Sequence, residues 1–599
     1  MVYRTFFLFL FTFSFLIAQD NLEIIQSQQE ETYYPTEIVE FLQNTKINPL
    51  NINTITEDEL FFFPWLSDQD INKILTSRRT KTISGFSDLT ELGLDAETIE
   101  HLADYITFSS KKSIKIEQTS RVEYQQAKDK LPSTLKYLQK TLANFKNTRV
   151  GVITQKDEGE KDLLDYYSCF IEYSTEKNLK KLLIGKYRLS LGQGILFASK
   201  LGMSKSSAAT TNPIKKFNPL KSYTSSYEIG CLEGAALNYK AGAFNIISFF
   251  SRTSLTANLD TLDQITSFNE SGLHFDPEER NNVLENIYGL AAKFEHYDNS
   301  FGINCAKFSF DHSFNDPAKK DQYEAISADM IIGKTSTPIF GEFAFADKKA
   351  GGLLGIKYGD IKLKHLLLTR YYDKDFPTWH GNPFSSQSNF DNEIGLYYGL
   401  AIRPGKSYKV NCYFDIWSFP KTRYFEKMPT VGSEEFIQLE KKFNKNTICF
   451  SIHHKDKEKY IALEGSQIRD FERTTFRADF WQNINNFRFK TRCELATEYL
   501  PTENIYKSGF LAYEEVKWKS DFLTLIGQIT VYHSDVLHYM YEHNVDGIMQ
   551  NTIFSGDGIY SYFVVKYNVL QNMKLQFKVS DHWSVKDKLR LYFQVISYF

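Results

Sequence analysis

The chain has 599 residues, of which 15% are aromatic and 24% are charged, and its formal net charge is −3. So small a net charge gives no overall attraction to nucleic acid or anionic lipid, which argues against a generic polyanion-binding protein. With a mean hydropathy of −0.37 alongside 50 Phe and 36 Tyr, apolar and charged residues are finely mixed. Such mixing is expected where lipid-facing and lumen-facing side chains alternate.

The first residues have the pattern of a secretory signal. Arg4 supplies a positive charge, an apolar run extends from Phe6 to Ile17, and Ala18 is the small residue after which we expect cleavage. We predict a signal peptide at residues 1–18, with an uncleaved anchor as the alternative. No later stretch approaches the length of about 18 apolar residues that a membrane-spanning helix needs. A membrane-embedded chain must therefore cross as a closed β-barrel.

A small all-α domain is predicted next. Residues 19–36 are polar and indicate a flexible lead-in, and residues 37–108 have a helical period in which Ser67 and Asp95 are helix N-caps. The apolar residues at helical spacing are Ile71, Ile74 and Leu75 after the first cap, and Ile99, Leu102 and Ile106 after the second. The turns that divide this segment into two helical hairpins contain Pro64, Trp65 and Leu66 in the first and Gly93 in the second.

From residue 113 to residue 599 the period changes to two, which predicts β-strands. Between Phe487 and Tyr499 the apolar or small residues alternate with a mostly charged row that includes Arg488, Lys490, Arg492 and Glu494. Turn residues such as Gly242 and Gly359 predict hairpins, so neighbouring strands should be antiparallel. We count roughly 22–24 segments of this kind. The predicted fold is mainly β: a large antiparallel transmembrane β-barrel, preceded by the small helical domain.

Long polar connections interrupt the strands. The predicted ones are residues 201–227, 258–280, 372–392 and 534–556, and each is expected to be a surface loop or a segment folded into the lumen. A barrel of this size otherwise leaves a wide hole, and we expect residues 201–227 to help fill it. The row Arg488, Lys490, Arg492 and Glu494 is predicted either to line a wet channel or to pair across strands and close it.

A soluble, secreted β-sandwich or β-helix is the competing interpretation, since its strands also alternate. The many long strands with one charged face argue against it. The chain also ends on Phe599, and a final strand closing on a carboxy-terminal Phe resembles the signal by which outer-membrane barrels are recognised for insertion.

The sequence contains only weak motifs for metal or nucleotide binding. The six cysteines form no C-x-x-C pair, so we expect single thiols and no metal site. His453 and His454 are adjacent on a predicted strand and point to opposite faces, so they cannot share one ion. The motif Gly192-Gln193-Gly194 lacks the third glycine of a nucleotide loop and predicts a strand bend or a close backbone approach.

Asp546-Gly547 and Asp557-Gly558 are predicted to be turns, because the other carboxylates of a calcium loop are missing. Neither a G-x-S-x-G elbow nor an H-E-x-x-H helix occurs, so we predict no enzyme active site and no cofactor. An enzyme embedded in the barrel is the alternative that this leaves open.

The helical segment resembles the tandem helix-hairpin-helix domain of the competence DNA receptor. The residues that carry the resemblance are Leu50-Asn51-Ile52-Asn53-Thr54 at its start, Glu59-Leu60 before the first hairpin, Arg78 at a helix end and Phe86-Ser87-Asp88-Leu89 at the second unit. This resemblance covers about a tenth of the chain. The chain is also similar to a family of uncharacterised outer-membrane proteins of Bacteroidota, in which a helix-hairpin-helix domain precedes a long aromatic β region with Gly192-Gln193-Gly194. That similarity covers nearly the whole chain.

The hairpin of that domain implies binding of DNA phosphates by backbone N–H groups, with glycines allowing close approach. Here the first hairpin has no glycine, and only Gly93 remains in the second. Between residues 46 and 104 five basic residues face eleven acidic ones, a balance that repels phosphates. If DNA is bound, the expected contacts are Arg78, Arg79 and Lys81. We favour a protein-docking or barrel-capping module.

The sequence thus predicts an outer-membrane barrel in contact with lipid, its helical domain in the periplasm. The expected function is a channel or a docking component of an envelope transport or assembly machine, with a periplasmic or outer-membrane protein as partner. A DNA-binding or DNA-uptake adaptor and an outer-membrane enzyme are the alternatives.

Overall fold

The computed structural model describes most of the chain. The described residues are 42, 45, 49–55, 59–60, 63, 65–66, 68–94, 96–108, 114–126, 134–160, 166–175, 177–199, 205–215, 219–227, 230–269, 280–334, 336–360, 362–377, 379–387, 389–405, 407–423, 427–443, 446–461, 467–500, 504–548, 550–583 and 589–599. The predicted signal peptide and lead-in, residues 1–36, lie outside them, and those two predictions stay predictions.

The amino-terminal elements form a small helical unit. Its described elements are β1 (Leu50–Asn51), α1 (Asp68–Thr80), α2 (Phe86–Glu91), α3 (Ala96–Ala103) and β2 (Ile106–Thr107). Strands β1 and β2 pair in parallel, so the two ends of the unit meet. Its buried apolar residues form one cluster: Leu42, Ile52, Ile55, Leu60, Phe63, Leu66, Ile71, Ile74, Ile83, Leu89, Leu94, Leu102, Tyr105 and Ile106.

The structure corrects one boundary in this unit. Ile106 was expected on a helix with Ile99 and Leu102, but α3 ends at Ala103 and Ile106 lies in β2. The chain turns because the Tyr105 N–H bonds the Leu102 carbonyl, after which Ile106 pairs with Leu50. Ile106 is still buried, so its apolar character reflects the core and not a helix period. No helix among the described residues is long and apolar enough to cross a membrane.

The rest of the described chain is almost entirely β. The strands are β3 (Lys115–Gln125), β4 (Leu135–Phe145), β5 (Thr148–Lys156), β6 (Tyr166–Ser174), β7 (Leu179–Leu189), β8 (Leu220–Ser222), β9 (Leu232–Ala241), β10 (Phe244–Leu255), β11 (Ala257–Leu259), β12 (Ile265–Phe268), β13 (Val283–His296), β14 (Asn299–Phe310), β15 (Gln322–Ile332), β16 (Ile339–Ala346), β17 (Lys349–Gly359), β18 (Leu363–Tyr372), β19 (Glu393–Ile402), β20 (Tyr408–Phe419), β21 (Thr430–Phe443), β22 (Asn446–Ile461), β23 (Gln467–Ile484), β24 (Phe487–Leu500), β25 (Ile505–Lys519), β26 (Leu523–Glu542), β27 (Gln550–Leu570), β28 (Met573–His582) and β29 (Arg590–Tyr598).

These strands close into a 24-strand antiparallel barrel, so the predicted fold class of the β region is confirmed. Each strand pairs with its neighbours in chain order, and β29 closes the circle on β3. Phe599 itself is tied to the start of β3, because Ile116 and Phe599 exchange backbone hydrogen bonds of 2.9 and 2.8 Å. The short β8 is an extra strand beside β7, and β11 with β12 forms a separate two-stranded sheet.

The two ends of the barrel differ. At the end where β3 begins and β29 finishes, the strands are joined by short turns such as residues 146–147, 297–298 and 571–572. At the other end most connections are longer, and the longest of them, each described in part, are residues 190–231, 256–282 and 373–392. Outer-membrane barrels have short periplasmic turns and longer extracellular loops.

Candidate functional site in the barrel interior

The outer face of the barrel is apolar and exposed. On β14, Phe301 and Ile303 are 47% and 56% exposed, whereas Asn304 between Ile303 and Cys305 is buried. On β24, Leu495 is exposed while Arg492 and Glu494 are buried. Exposed apolar residues and buried charges invert the arrangement of a soluble protein and match a barrel surrounded by lipid. The chain is therefore an outer-membrane β-barrel, and the soluble sandwich or β-helix is ruled out by the closed strand order.

Aromatic residues mark the short-turn end of this surface. The exposed aromatic side chains near that end are Phe145, Tyr173, Tyr239, Phe244, Tyr297, Phe301, Tyr358, Tyr408, Phe443, Phe487, Phe522, Tyr567 and Phe599. Aromatic rings concentrate at the boundary between hydrocarbon and head groups. This end of the barrel therefore has the girdle expected at one membrane interface.

The charged row predicted on β24 lies inside the barrel, where its members pair across strands. Arg492 Nε donates to Asp479 on β23 at 2.6 Å, and Glu494 accepts from Arg477 Nε at 2.8 Å. Lys490 is buried with its Nζ 5.3 Å from the centre of the Tyr513 ring. Arg488 is only half-buried, close to the turn that joins β23 and β24.

Two long connections fill part of the lumen, and we call them the loop plug: the described residues within 190–227 and 373–392. They are bonded to each other through the backbone. Ala198 N–H donates to the His380 carbonyl at 2.8 Å, and Asn382 N–H donates to the Gly194 carbonyl at 2.8 Å. The Asn382 side chain adds a 2.8 Å bond to the Ser199 carbonyl. The two connections thus form a single inner body.

The loop plug packs on the wall mainly through apolar contacts. Phe197 is 2% exposed, and its ring centre lies 5.7 Å from that of Phe308 on β14 and 5.3 Å from that of Phe249 on β10. The buried cluster to which they belong also includes Leu191, Ile195, Leu196, Tyr372, Phe376 and Phe390 from the loop plug and its edges. This side of the lumen contains a dry core of the kind that stabilises a folded domain.

The Gly192-Gln193-Gly194 motif attaches the loop plug to the wall. Gly192 and Gly194 have φ of +57° and +89°, which turns the backbone N–H groups of Gln193 and Ile195 toward one carboxylate oxygen of Glu342 on β16 at 2.7 and 3.1 Å. A Cβ on Gly192 would lie 2.7 Å from the Glu342 carboxyl group. The close backbone approach predicted for this motif is confirmed, and its partner is a wall carboxylate, not a nucleotide phosphate.

Buried charges make a second attachment. Lys205 Nζ lies 2.5 Å from Asp415 and 3.0 Å from Glu434, both on the inner wall. Arg370 on β18 donates through Nη1 to Asp415 at 2.7 Å and pairs with Glu393. The segment that follows is held as well, because the Tyr397 hydroxyl on β19 donates to the Ala209 carbonyl at 2.8 Å. Residues 205–215 therefore lie against the wall inside the lumen, as predicted for the 201–227 connection.

A second inner body comes from the β26–β27 hairpin. Gln528 and Met540 both belong to β26, yet Gln528 Nε2 lies 2.9 Å from Met540 Sδ. Twelve residues of straight strand would separate them by roughly 40 Å. The tip of the hairpin is therefore folded back over the inner wall, and we call residues 538–554, of which 549 is not described, the flap. Tyr532 on the wall and Phe554 on the flap confirm this, with ring centres 5.0 Å apart.

Polar side chains hold the flap. Glu542 is fully buried and pairs with Lys578 Nζ at 2.7 Å, while the Tyr560 hydroxyl donates to its other oxygen. His538 Nδ1 lies 2.7 Å from Glu494 Oε1 on β24. At the tip, Asp546 accepts from Lys566 Nζ at 2.7 Å. The flap thus rests on charged wall residues and also on an apolar cluster, in which its Met540 and Phe554 are buried.

The flap also corrects a prediction. Asp557-Gly558 was expected to be a turn, but both residues lie within β27, just after a register shift opposite Ser534 and His538. Asp546-Gly547 does lie in the connection between β26 and β27, with Gly547 at φ +88°. Asp557 pairs with exposed His533.

The basic residues of the helical unit point to structural roles. Arg78 Nη1 donates to the Ile55 carbonyl at 2.5 Å, which binds α1 to the segment after β1. Lys81 Nζ lies 3.1 Å from Asp88, and hydrogen bonds from Ser84 and Lys81 lower the pKa of Asp88. The side chain of Arg79 is outside the described residues. Two of the three side chains predicted to contact DNA are therefore engaged in bonds within the helical unit.

The predicted hairpin turns are placed as follows. Gly93 has φ +75° after α2 and its carbonyl accepts from Lys73 Nζ at 2.8 Å. Leu66 is buried in the core, and Trp65 packs 5.3 Å from the Tyr105 ring centre. Pro64 lies outside the described residues. Neither described turn presents a row of glycine N–H groups.

The histidines and cysteines considered as metal ligands are not brought together into one site. His453 faces Glu434 at 3.1 Å and His454 faces Thr474 at 2.8 Å, so the two rings serve different faces. All six cysteines are free thiols. Within the described ranges, no group of three or more His, Cys, Asp or Glu side chains is placed to hold a metal ion.

No family model and no curated protein matches this chain. Solved structures do resemble it. The siderophore receptor PirA from Pseudomonas aeruginosa has a TM-score of 0.41 and 8% identity, over 82% of this chain and 81% of that one. FpvA of P. aeruginosa bound to a heterologous pyoverdine has a TM-score of 0.41 and 11% identity, over 81% of this chain and 72% of that one. The ferric enterobactin receptor PfeA of P. aeruginosa has a TM-score of 0.37 and 7% identity, over 82% of this chain and 81% of that one.

Proposed function

We propose that this protein is a gated outer-membrane channel whose lumen is closed by the loop plug and the flap. The observation that carries the proposal is the nature of the wall: much of its inner face carries charged residues, as a water-filled conduit requires, yet segments from the long-loop end cover it. A barrel of about 24 strands without such segments would leave a wide hole. Closing a polar lumen with infolded loops is the arrangement of a channel that opens on demand.

The orientation supports a periplasmic place for the helical unit. The unit precedes β3, and β3 starts at the end with short turns and the aromatic girdle. Short turns are periplasmic in barrels of this type. We infer that the helical unit faces the periplasm and serves as a docking module for a protein partner there. We also propose that the unit is of the helix-hairpin-helix type and that the chain is not an enzyme.

Conductance in planar lipid bilayers tests the channel. Leu189 and Leu220 are paired residues of β7 and β8, so a short Asp-Gly turn can replace residues 190–219 without moving the strands. Ser534 and Gly556 are likewise paired, so the same turn can replace residues 535–555. We expect the unaltered protein to be closed and the first deletion to conduct, with a further increase in the double deletion.

The matched control shortens residues 315–320, an exposed loop at the same end of the barrel, and we expect it to stay closed. Heat-modifiable migration on a gel confirms that each variant holds a folded barrel. If the folded double deletion conducts no more than the unaltered protein, the channel proposal is wrong.

DNA uptake is not favoured. The helical unit keeps its negative balance, and Arg78 and Lys81 are engaged within it. Salt-dependent binding of duplex DNA by the full chain in detergent would revive that alternative.

A further inference from the structure

The hairpin tip in the lumen differs from an ordinary loop, because its strand pairing continues through the bend. Tyr539 pairs with Ile553 and Met540 with Thr552, in the same ladder that joins β26 and β27 on the wall. A two-stranded unit of this kind keeps its own backbone hydrogen bonds wherever it lies. Moving the flap therefore leaves its internal ladder intact.

The bend has the features of a hinge. Between the pairs Ser534–Gly556 and His538–Phe554, three residues of β26 face one residue of β27, which is a bulge. Gly556 has φ +75°, and the Ser534 hydroxyl donates to the Val536 carbonyl at 2.7 Å. Bulges and glycines absorb the local change of direction that a moving segment needs.

The wall provides a seat for the bend. Gly509 on β25 lies directly against it: a Cβ there would come 1.7 Å from Ser534 Oγ and 2.7 Å from His538 Nε2. A Cβ at position 509 would therefore collide with the side chains of two residues at the bend in its folded-back position. A methyl group at this position would push the bend away from the wall.

The seat combines polar bonds with an apolar contact, in which Met540 and Phe554 of the flap are buried against wall residues such as Tyr532. The bonds that the structure gives between the flap and the wall all involve at least one side chain, such as Glu542 with Lys578 and Asp546 with Gln576. Tyr539 and Ile553 on the opposite face of the flap are 44% and 54% exposed inside the barrel. Water can replace the polar bonds between flap and wall when the flap moves.

We infer that the flap is the moving gate of the channel, swinging at residues 534–538 and 554–556, while the loop plug is its fixed filling. This inference rests on the proposed function. It assigns the two inner bodies different tasks: the loop plug narrows the lumen permanently, and the flap opens and closes what remains.

The test uses the channel in which residues 190–219 are replaced by the Asp-Gly turn, which removes the larger connection of the loop plug and leaves the flap in place. We expect two conductance levels, flap in and flap out. Gly509→Ala should shift the population to the higher level, because its methyl group unseats the bend. Gly527→Ala on neighbouring β26 is the control, since its Cβ would meet only Phe563 at an ordinary 3.5 Å.

A reversible lock completes the test. Thr530→Cys with Met540→Cys joins wall and flap, whose side chains there are 3.7 Å apart, through a short bis-thiosulfonate reagent. We expect loss of the higher level and its return on reduction, with each single-cysteine variant unaffected. A single level that neither the lock nor deletion of 535–555 alters overturns the flap gate while leaving the channel in place. A double deletion that does not conduct overturns the channel itself.

Discussion

The two halves of the lumen are filled in different ways. Along β10–β21 the loop plug buries Phe197 between Phe249 and Phe308 and ties its two connections together through the backbone. Along β24–β29 the flap is bonded to Glu494, Lys578 and other wall residues only through side chains, beside a smaller apolar contact of Met540 and Phe554. Apolar packing gains free energy from excluding water and gives a permanent seat. Paired charges gain little net free energy over their hydrated state. Because the two connections of the loop plug are joined by backbone hydrogen bonds and the flap is bonded to the wall only through side chains, we interpret the first filling as structural and the second as exchangeable.

Removing the apolar seat should have the largest effect on stability. Phe197→Ala deletes a buried ring from the loop-plug core, and we expect about 4 kcal/mol less free energy of unfolding in a denaturant titration. Leu262→Ala is the control, because Leu262 is 75% exposed, and it should change stability little. Equal effects of the two substitutions would show that the loop plug has no dry core.

Breaking a buried pair under the flap should act on opening and not on the barrel as a whole. Glu542→Gln leaves Lys578 buried without its counter-ion, which costs about 3 kcal/mol in the closed state. The flap should then open more often, and the labelling rate of a Thr530→Cys thiol beneath it should rise by about 100-fold. The double variant Glu542→Leu with Lys578→Met should label slowly again. Unchanged labelling in Glu542→Gln would contradict an exchangeable seat.

The attachment of the loop plug by Gly192 should respond to a single methyl group. Gly192→Ala adds both a strained φ and a collision with Glu342, and we expect a loss of about 2 kcal/mol. Gly242→Ala carries the strain alone, since φ there is +62° and nothing lies within 4 Å of a Cβ. The difference between the two in a denaturant titration measures the Glu342 contact. No difference would mean that the motif does not anchor the plug.

The smallest effects are expected in the helical unit. Arg78→Ala removes a charged donor to the Ile55 carbonyl and should lower the stability of the unit by about 1.5 kcal/mol. The rate of limited proteolysis of the full chain measures this loss. Lys81→Ala should leave that proteolysis rate unchanged, because its pair with Asp88 is exposed to water. Neither substitution should alter duplex DNA retention at low salt; a loss in both would point back to a DNA-binding role.

Much of the barrel could be predicted, because each strand reports its own environment. On β24 the alternation of Leu495 with Glu494 is a local property, set by lipid on one side and the lumen on the other. The turn at Gly242 is local for the same reason. The flap was predicted only in outline: residues 534–556 were expected to be a polar connection on the surface or folded into the lumen, whereas residues 534–542 and 550–556 belong to β26 and β27. No local signal distinguishes a strand that folds back. Asp557-Gly558 was misplaced because an Asp-Gly pair is typical of a turn, whereas here it continues the ladder of β27 beside the bulge in β26.

The residue pattern was enough to predict the closed β architecture, the outward apolar face and a separate helical segment, since periodicity depends only on which side of each element meets which solvent. What fills the barrel emerged from the folded structure alone. The partners that hold the plug and the flap, Gln193 with Glu342 and His538 with Glu494, are 149 and 44 residues apart, and contacts over such separations exist only after the strands have closed.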